Sequence, residues 1–307
     1  MRLALSALSW AIFVGLTGCS VIHGDDFTQD LGCDLELKVR DFSPHVTDTF
    51  SVLLTRPRAD GSDRRIEAVA IFDPLGTTNL DLHMPNTVRP RTSTEQGLAA
   101  IDFFADFDDT EGFSFPGDHS WVLEDACTTG PELFPHNTDF IPVRVPTAAG
   151  TNVGVRLCGT TAFGSSAMEL RATRLIRDEA SEGETVAQAV GFYRLDDVTR
   201  RPEGFGIPAV ANVDFDMTIE VVADRDRNGR FDPPGDDAWT YSHRASSLIR
   251  CSMLPLGVDG CPNVTAVLRE PLPACVTDAG DLLVVVAPVT NANRTSTLLS
   301  PAWFTPN

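Results

Sequence analysis

The chain has 307 residues, a net charge of −19 from 43 acidic and 24 basic residues, and 42% hydrophobic residues. That apolar content supports a packed core and excludes a disordered chain. The acidic surface repels phosphate, and no basic tract offers a local exception, so nucleic acid is excluded as a partner.

From the N-terminus, Met1-Arg2 leads into an apolar run, Leu3–Leu16, relieved by Ser6 and Ser9. Such a run suits a signal-peptide core and falls short of the roughly 20 residues that span a bilayer as a helix. It is followed by Leu16-Thr17-Gly18-Cys19-Ser20. This segment resembles the lipobox of bacterial lipoproteins. The resemblance implies cleavage before Cys19, diacylation of its thiol and, with Ser20 next, sorting to the outer membrane, periplasmic or surface-exposed. The implied membrane contact is the lipid anchor alone, since two or more acyl chains hold a protein stably without a transmembrane helix. Removing residues 1–18 leaves 289 residues, enough for two domains, and takes the net charge from −19 to −20 because Arg2 is lost.

Six cysteines remain after Cys19: Cys33, Cys127, Cys158, Cys251, Cys261 and Cys275. An even number in an exported chain favours disulfides. Cys33 and Cys127 are 94 residues apart and Cys158 and Cys251 are 93 apart, each close to one domain length. The spacing therefore predicts Cys33–Cys127 and Cys158–Cys251, with Cys261–Cys275 closing a short loop. Zinc is the rival reading, but no Cys-x-x-Cys pair exists to support it.

One segment recurs. Residues 101–121 align without a gap on residues 219–239 at an offset of 118, with identities at Ile101/Ile219, Ala105/Ala223, Asp106/Asp224, Asp108/Asp226, Phe113/Phe231, Pro116/Pro234, Gly117/Gly235, Asp118/Asp236 and Trp121/Trp239. A domain-sized period marks a tandem duplication. In the first unit, strands are predicted at Leu35–Phe42, Phe50–Thr55, Arg65–Phe72, Thr78–Met84, Gly97–Ala105, Ser120–Leu123 and Phe140–Val145. In the second they fall at Met168–Leu175, Thr185–Tyr193, Val213–Ala223, Ala238–His243, Ala266–Arg269 and Leu282–Ala287. Short β-branched or alternating runs bounded by turn residues predict an all-β protein of two tandem immunoglobulin/transthyretin-like β-sandwich domains. The expected division is a signal peptide at 1–18, a tether at 19–32, repeat 1 at 33–146, a linker at 147–157, and repeat 2 with a C-terminal extension at 158–307.

The repeats also resemble a group of bacterial envelope proteins with Phe-x-Ala-Asp-x-Asx-x-Asn-Gly-x-Tyr/Phe-Asp-Pro-Pro followed by Asp-His-x-Trp. Ala223–Pro234 keeps the first part and Asp118-His119-Ser120-Trp121 the second, while Phe42–His45 and His136–Phe140 match flanking segments. The resemblance implies fold and location, and no activity.

Asp224, Asp226, Asn228 and Asp232, with Gly229 between them, match the front of an EF-hand-type calcium loop. Arg230 would offer its carbonyl. The residue at the usual place of the bidentate Glu is Gly235, so Asp236 or Asp237 would have to substitute. The alternative is a polar hairpin turn that binds nothing. In the first copy Asp106 and Asp108 survive, but Thr110, Glu111 and Ser114 replace Asn228, Gly229 and Asp232. That loop reads as one without metal.

His45, His119 and His136 form a second candidate, because loops at one end of a sandwich can gather distant side chains and three imidazoles suit copper or zinc. With no close His-x-His spacing, the simpler expectation is three separate loop histidines. Trp121 and Trp239 occupy equivalent positions, which favours core packing over sugar-stacking platforms. Asn263-Val264-Thr265 and Asn293-Arg294-Thr295 match sequons that an exported bacterial chain leaves unused. No Gly-x-Ser-x-Gly, His-Glu-x-x-His, P-loop or dinucleotide fingerprint is present. The sequence thus points to a lipid-anchored, non-catalytic binding or structural module with an unidentified protein or glycan ligand and calcium as its cofactor. The alternatives are a metal-handling protein or metal-dependent enzyme using the three histidines, and a carbohydrate-binding module.

Overall fold

The computed structural model describes residues 32–57, 64–90, 97–110, 113–127, 133–144, 152–158, 163, 166–177, 185–196, 205–208, 215–228, 236–245, 282–285 and 304–306. The lipobox with Cys19 lies outside them, as do Cys251, Cys261, Cys275 and the strand expected at Ala266–Arg269. Among the described residues the only helical segment that forms an element is one 3-10 turn, Ser43–His45, and the rest of the regular structure is β.

The first repeat supplies β1 (Cys33–Arg40), β2 (Thr49–Pro57), β3 (Arg64–Asp73), β4 (Leu80–Val88), β5 (Ala100–Asp106), β6 (His119–Leu123) and β7 (Leu133–Pro135). The following residues form β8 (Asn152–Cys158), β9 (Ala167–Arg177), β10 (Thr185–Leu195), β11 (Phe205–Pro208), β12 (Phe215–Asp224), β13 (Asp237–Ala245), β14 (Leu282–Val285) and β15 (Phe304–Pro306). Two expectations need correction. Residues 140–144 form no strand: Ile141 N–H donates to the Ser120 carbonyl at 2.9 Å, but Pro142 has no donor with which to extend a ladder. Residues 152–157, read as the end of a linker, belong to β8.

The strands make a central eight-stranded sheet, β13-β12-β9-β10-β3-β2-β5-β6, a four-stranded sheet, β15-β4-β1-β7, and a three-stranded sheet, β11-β8-β14. The order of the large sheet is the duplication written in hydrogen bonds. Read outward from its centre, β3, β2, β5 and β6 of one repeat mirror β10, β9, β12 and β13 of the other. The small sheets repeat the theme, since β1 and β8 each pair antiparallel with one neighbour (β4, β11) and parallel with another (β7, β14). At the centre β10 runs parallel to β3, with Gly191 opposite Val69 and Leu195 opposite Asp73. The two repeats therefore join edge to edge in one continuous sheet, which removes a free strand edge from each. β15, from the far C-terminus, pairs with β4 of the first repeat.

The central sheet is covered on both faces, which explains why β2 is buried along almost its whole length. Successive side chains of a strand point to opposite faces. Val52 and Leu54 accordingly join one core with Leu35, Leu37, Val39, Leu80, Leu82, Phe103, Trp121 and Phe192. Leu53 joins the other, with Val69, Phe104, Leu170, Ala172, Ile207, Ile219 and Val221. At offset 118, Val52 and Leu54 correspond to Leu170 and Ala172, so equivalent residues of the two repeats face opposite sides. A disulfide joins Cys33, at the start of β1, to Cys127, just past β6, as the spacing predicts. The side chain of Cys158 lies outside the described residues.

Candidate metal centre

Three segments that are distant in sequence meet at one end of the first repeat. His45 ends the 3-10 turn between β1 and β2, His119 opens β6, and His136 follows β7. Backbone pairing fixes each: Asp48 N–H donates to the His45 carbonyl at 3.1 Å, His119 stands opposite Ala105 in the β5–β6 ladder, and His136 N–H donates to the Arg40 carbonyl at 2.8 Å, extending the β1–β7 ladder by one rung. His45 Nε2 lies 3.3 Å from His136 Nε2 and 3.2 Å from His119 Nδ1. The histidines expected to stand apart in separate loops are therefore gathered, and one donor atom from each falls within 4.8 Å of the others.

The chemistry of this cluster is set by protons. His45 Nδ1 is 2.9 Å from Asp48 Oδ2, so the carboxylate accepts the Nδ1 proton, and in the neutral ring Nε2, which faces both neighbours, carries the lone pair. One imidazole lone pair cannot accept two good hydrogen bonds at once. An ion about 2.0–2.1 Å from each of two imidazole nitrogens in tetrahedral array would hold them about 3.3 Å apart, which is the spacing observed. The Asp48–His45 pair is also the carboxylate–histidine arrangement that orients a metal ligand. Burial first, then repulsion from His45 and for His119 also from His136, hold His119 and His136 below the ordinary histidine value.

Aromatic rings build the walls. His119 is stacked between Phe140, at 4.0 Å, and Phe107, at 4.7 Å. Phe42 packs edge-on to His136 at 5.2 Å, and Trp121 lies 5.8 Å from both His45 and His136. The Trp121 indole N–H donates to Asn137 Oδ1 at 3.2 Å, anchoring the residue next to His136. Trp121 is 1% exposed, so it is a core residue and no sugar platform. The side chain of Trp239 lies outside the described residues. His83 is exposed and pairs with Asp34 at 2.8 Å, apart from the cluster.

The second repeat shows what the same scaffold becomes with other residues at the His45 and His119 positions. At offset 118, His45, Asp48, Phe107 and His119 correspond to Phe163, Ser166, Arg225 and Asp237. The turn persists, with Ser166 N–H donating to the Phe163 carbonyl at 2.7 Å. An Arg225–Asp237 ion pair replaces the Phe107–His119 stack, and the guanidinium lies 5.4 Å from the centre of the Phe163 ring.

The acidic loops converge too, in both repeats. Asp224, Asp226 and Asp236 come together, and so do Asp106, Asp108 and Asp118. The loops share their local frame: Asn228 N–H donates to Asp224 and Thr110 N–H to Asp106, while Asp236 and Asp118 accept the N–H of Arg225 and Phe107. Asp109 and Arg227, equivalent residues, both adopt positive φ, 54° and 58°. They differ in how the middle carboxylate is neutralised. Asp108 accepts from the hydroxyls of Thr110 at 2.7 Å and Ser114 at 2.5 Å, and those bonds hold its carboxyl below the usual carboxylate range. Asp226 accepts from the Asn228 amide at 3.0 Å. Arg230 and Asp232 lie outside the described residues.

Comparison with known protein families, with curated proteins and with solved structures finds no match to the chain. Sequence reasoning missed the aromatic shell of Phe42, Phe107 and Phe140 and the role of Asp48; only the Asp48 spacing of three residues from His45 offered a signal. Asp48→Asn is expected to weaken metal binding by about 10–100-fold without unfolding the protein, read by isothermal titration against wild type. Equal affinity in the two proteins would remove the orienting role given to this carboxylate.

Proposed function

We propose that the chain is an exported, lipid-anchored envelope protein that binds a transition metal, zinc or copper, through His45 Nε2, His119 Nδ1 and His136 Nε2. The observation that carries this reading is the approach of His119 Nδ1 and His136 Nε2 to 3.2 and 3.3 Å from His45 Nε2, on a ring oriented by a carboxylate, with all three donor atoms within 4.8 Å of one another. Imidazole suits both metals. The two repeats act as immunoglobulin/transthyretin-like sandwich units, with the transition metal confined to the first. Export is supported by Leu16–Cys19, whose resemblance to a lipobox implies lipid on Cys19, and by the Cys33–Cys127 disulfide, since such bonds persist in oxidising compartments. The test is element analysis of the protein extracted from the envelope, with intact mass on the same material. Stoichiometric zinc or copper in wild type, lost in His119→Ala, and a diacyl adduct on a chain beginning at Cys19 are expected. A metal-free wild type that stays metal-free after incubation with zinc or Cu(II) would overturn the metal reading.

Calcium in the 224–236 loop is a second, structural role. It is favoured by the contrast between repeats: hydroxyl donors face Asp108, whereas the residue at the Ser114 position in repeat 2 is Asp232, a further acceptor. Calcium at 100 times its Kd is expected to stabilise the protein by about 2.7 kcal/mol. The corresponding rise in Tm should vanish in Asp226→Ala. A melting curve indifferent to calcium in wild type would dismiss this role and leave the histidine centre untouched.

A further inference from the structure

We propose that the histidine centre keeps one coordination position open and takes a small exogenous anion there, such as a carboxylate or an anion of azide size. This rests on the metal reading above and adds to it the ligand class the metal would accept.

Three features point that way. The first is where the donors stand. His45 is 0% exposed and reaches the cluster from the core, while His119 and His136 are only partly buried, so the protein grips an ion from the inner side and leaves the outer side to solvent. Three nitrogens mutually close enough to share an ion fill one face of a tetrahedron, and the fourth vertex then points away from the plane of all three.

The second is charge. Among the described residues, the group able to share an ion here consists of the three histidines alone. Three neutral imidazoles leave the full charge of a divalent ion uncompensated by its ligands, and Asp48 is occupied on the far nitrogen of His45. An anion at the remaining position supplies that compensation. The contrast within the chain is direct, because in repeat 2 the residue at the His119 position is Asp237, a protein carboxylate already paired with Arg225.

The third is the entrance. Phe107 is 53% exposed, yet it stacks on His119 and meets His45 edge-on at 6.0 Å. It therefore forms an apolar lip beside the open vertex. Low-dielectric walls strengthen the attraction between a cation and an entering anion.

The experiment loads the purified chain with Co(II), whose visible spectrum reports coordination number, and then titrates azide, with acetate as competitor. The expected result is a one-to-one cobalt complex whose d–d bands shift saturably with millimolar azide and return as acetate displaces it. A cobalt complex whose spectrum ignores azide and acetate would overturn the open position while leaving the metal site standing. Failure to bind cobalt at all would overturn the metal reading, and this inference with it. The same titration on His136→Ala, which removes a partly exposed ligand with less loss of packing than the buried His45 would cause, should show no saturable cobalt spectrum. Unchanged spectra in that variant would place the cobalt elsewhere and so count against the proposal.

Discussion

His45→Ala is expected to raise the Kd for zinc or Cu(II) by more than about a hundredfold, the largest single effect on binding in this protein. His45 is the hub of the cluster: its Nε2 is the atom that both other donors approach, and its tautomer is the one set by Asp48. Removing it leaves two imidazoles that share no oriented partner. The ring is also fully buried against Phe42, Phe107 and Trp121, so its loss opens a cavity and lowers the stability of the metal-free protein, by about 2–4 kcal/mol. The two effects separate in a melting experiment. Wild type at saturating metal gains stability over its metal-free form, whereas the variant should melt at the same temperature with and without metal. His136→Ala gives the check with less packing loss, because that ring is only partly buried. A His45→Ala protein that binds zinc as tightly as wild type would end the assignment of these residues.

Opening the Cys33–Cys127 bridge is expected to cost the first repeat about 4 kcal/mol. The bond closes a loop of 94 residues, and the chain-entropy account of disulfides gives about 4–5 kcal/mol for loops of that size, with 2–4 more usual. Against a total stability of about 5–15 kcal/mol, that is a large fraction. The bridge clamps the start of β1 to the end of the β5–β6 hairpin, and β1 matters to the site as well. Arg40, its last residue, offers the carbonyl that holds His136. Reduction should therefore lower the Tm by on the order of 10 °C or more and weaken metal binding together. Thermal melts and metal titrations of Cys33→Ser/Cys127→Ser beside wild type read both. Coincident melting curves would show that the core of the repeat needs no covalent clamp.

Much of the architecture was legible in local pattern. Most strands fell where β-branched runs are bounded by turn residues, and the spacing of Cys33 and Cys127 named their pairing. The single gapless offset of 118 extends beyond the matched segment to the 3-10 turn, where Asp48/His45 and Ser166/Phe163 form the same hydrogen bond. The reading failed over 140–144, where apolar residues suggested a strand but Pro142 stops the ladder after one backbone bond, from Ile141 to Ser120. It also failed at 152–157, whose strand β8 exists because β11 and β14 flank it, which no local signal announces.

The duplication, the β character, the acidic loops and the burial of Trp121 can all be read along the chain, since each follows from short-range periodicity or from matching positions. That His45, His119 and His136 meet, and that the repeats share one sheet through β3 and β10, emerges only once the chain is folded. The reason is that both depend on which edges and loop ends come together in space. Side-chain alternation tells a strand which face to bury, but it leaves open which neighbour completes its hydrogen bonds. Separations of 74 and 91 residues between His45 and its two partners carry no trace of a 3.2–3.3 Å approach until the strands are paired.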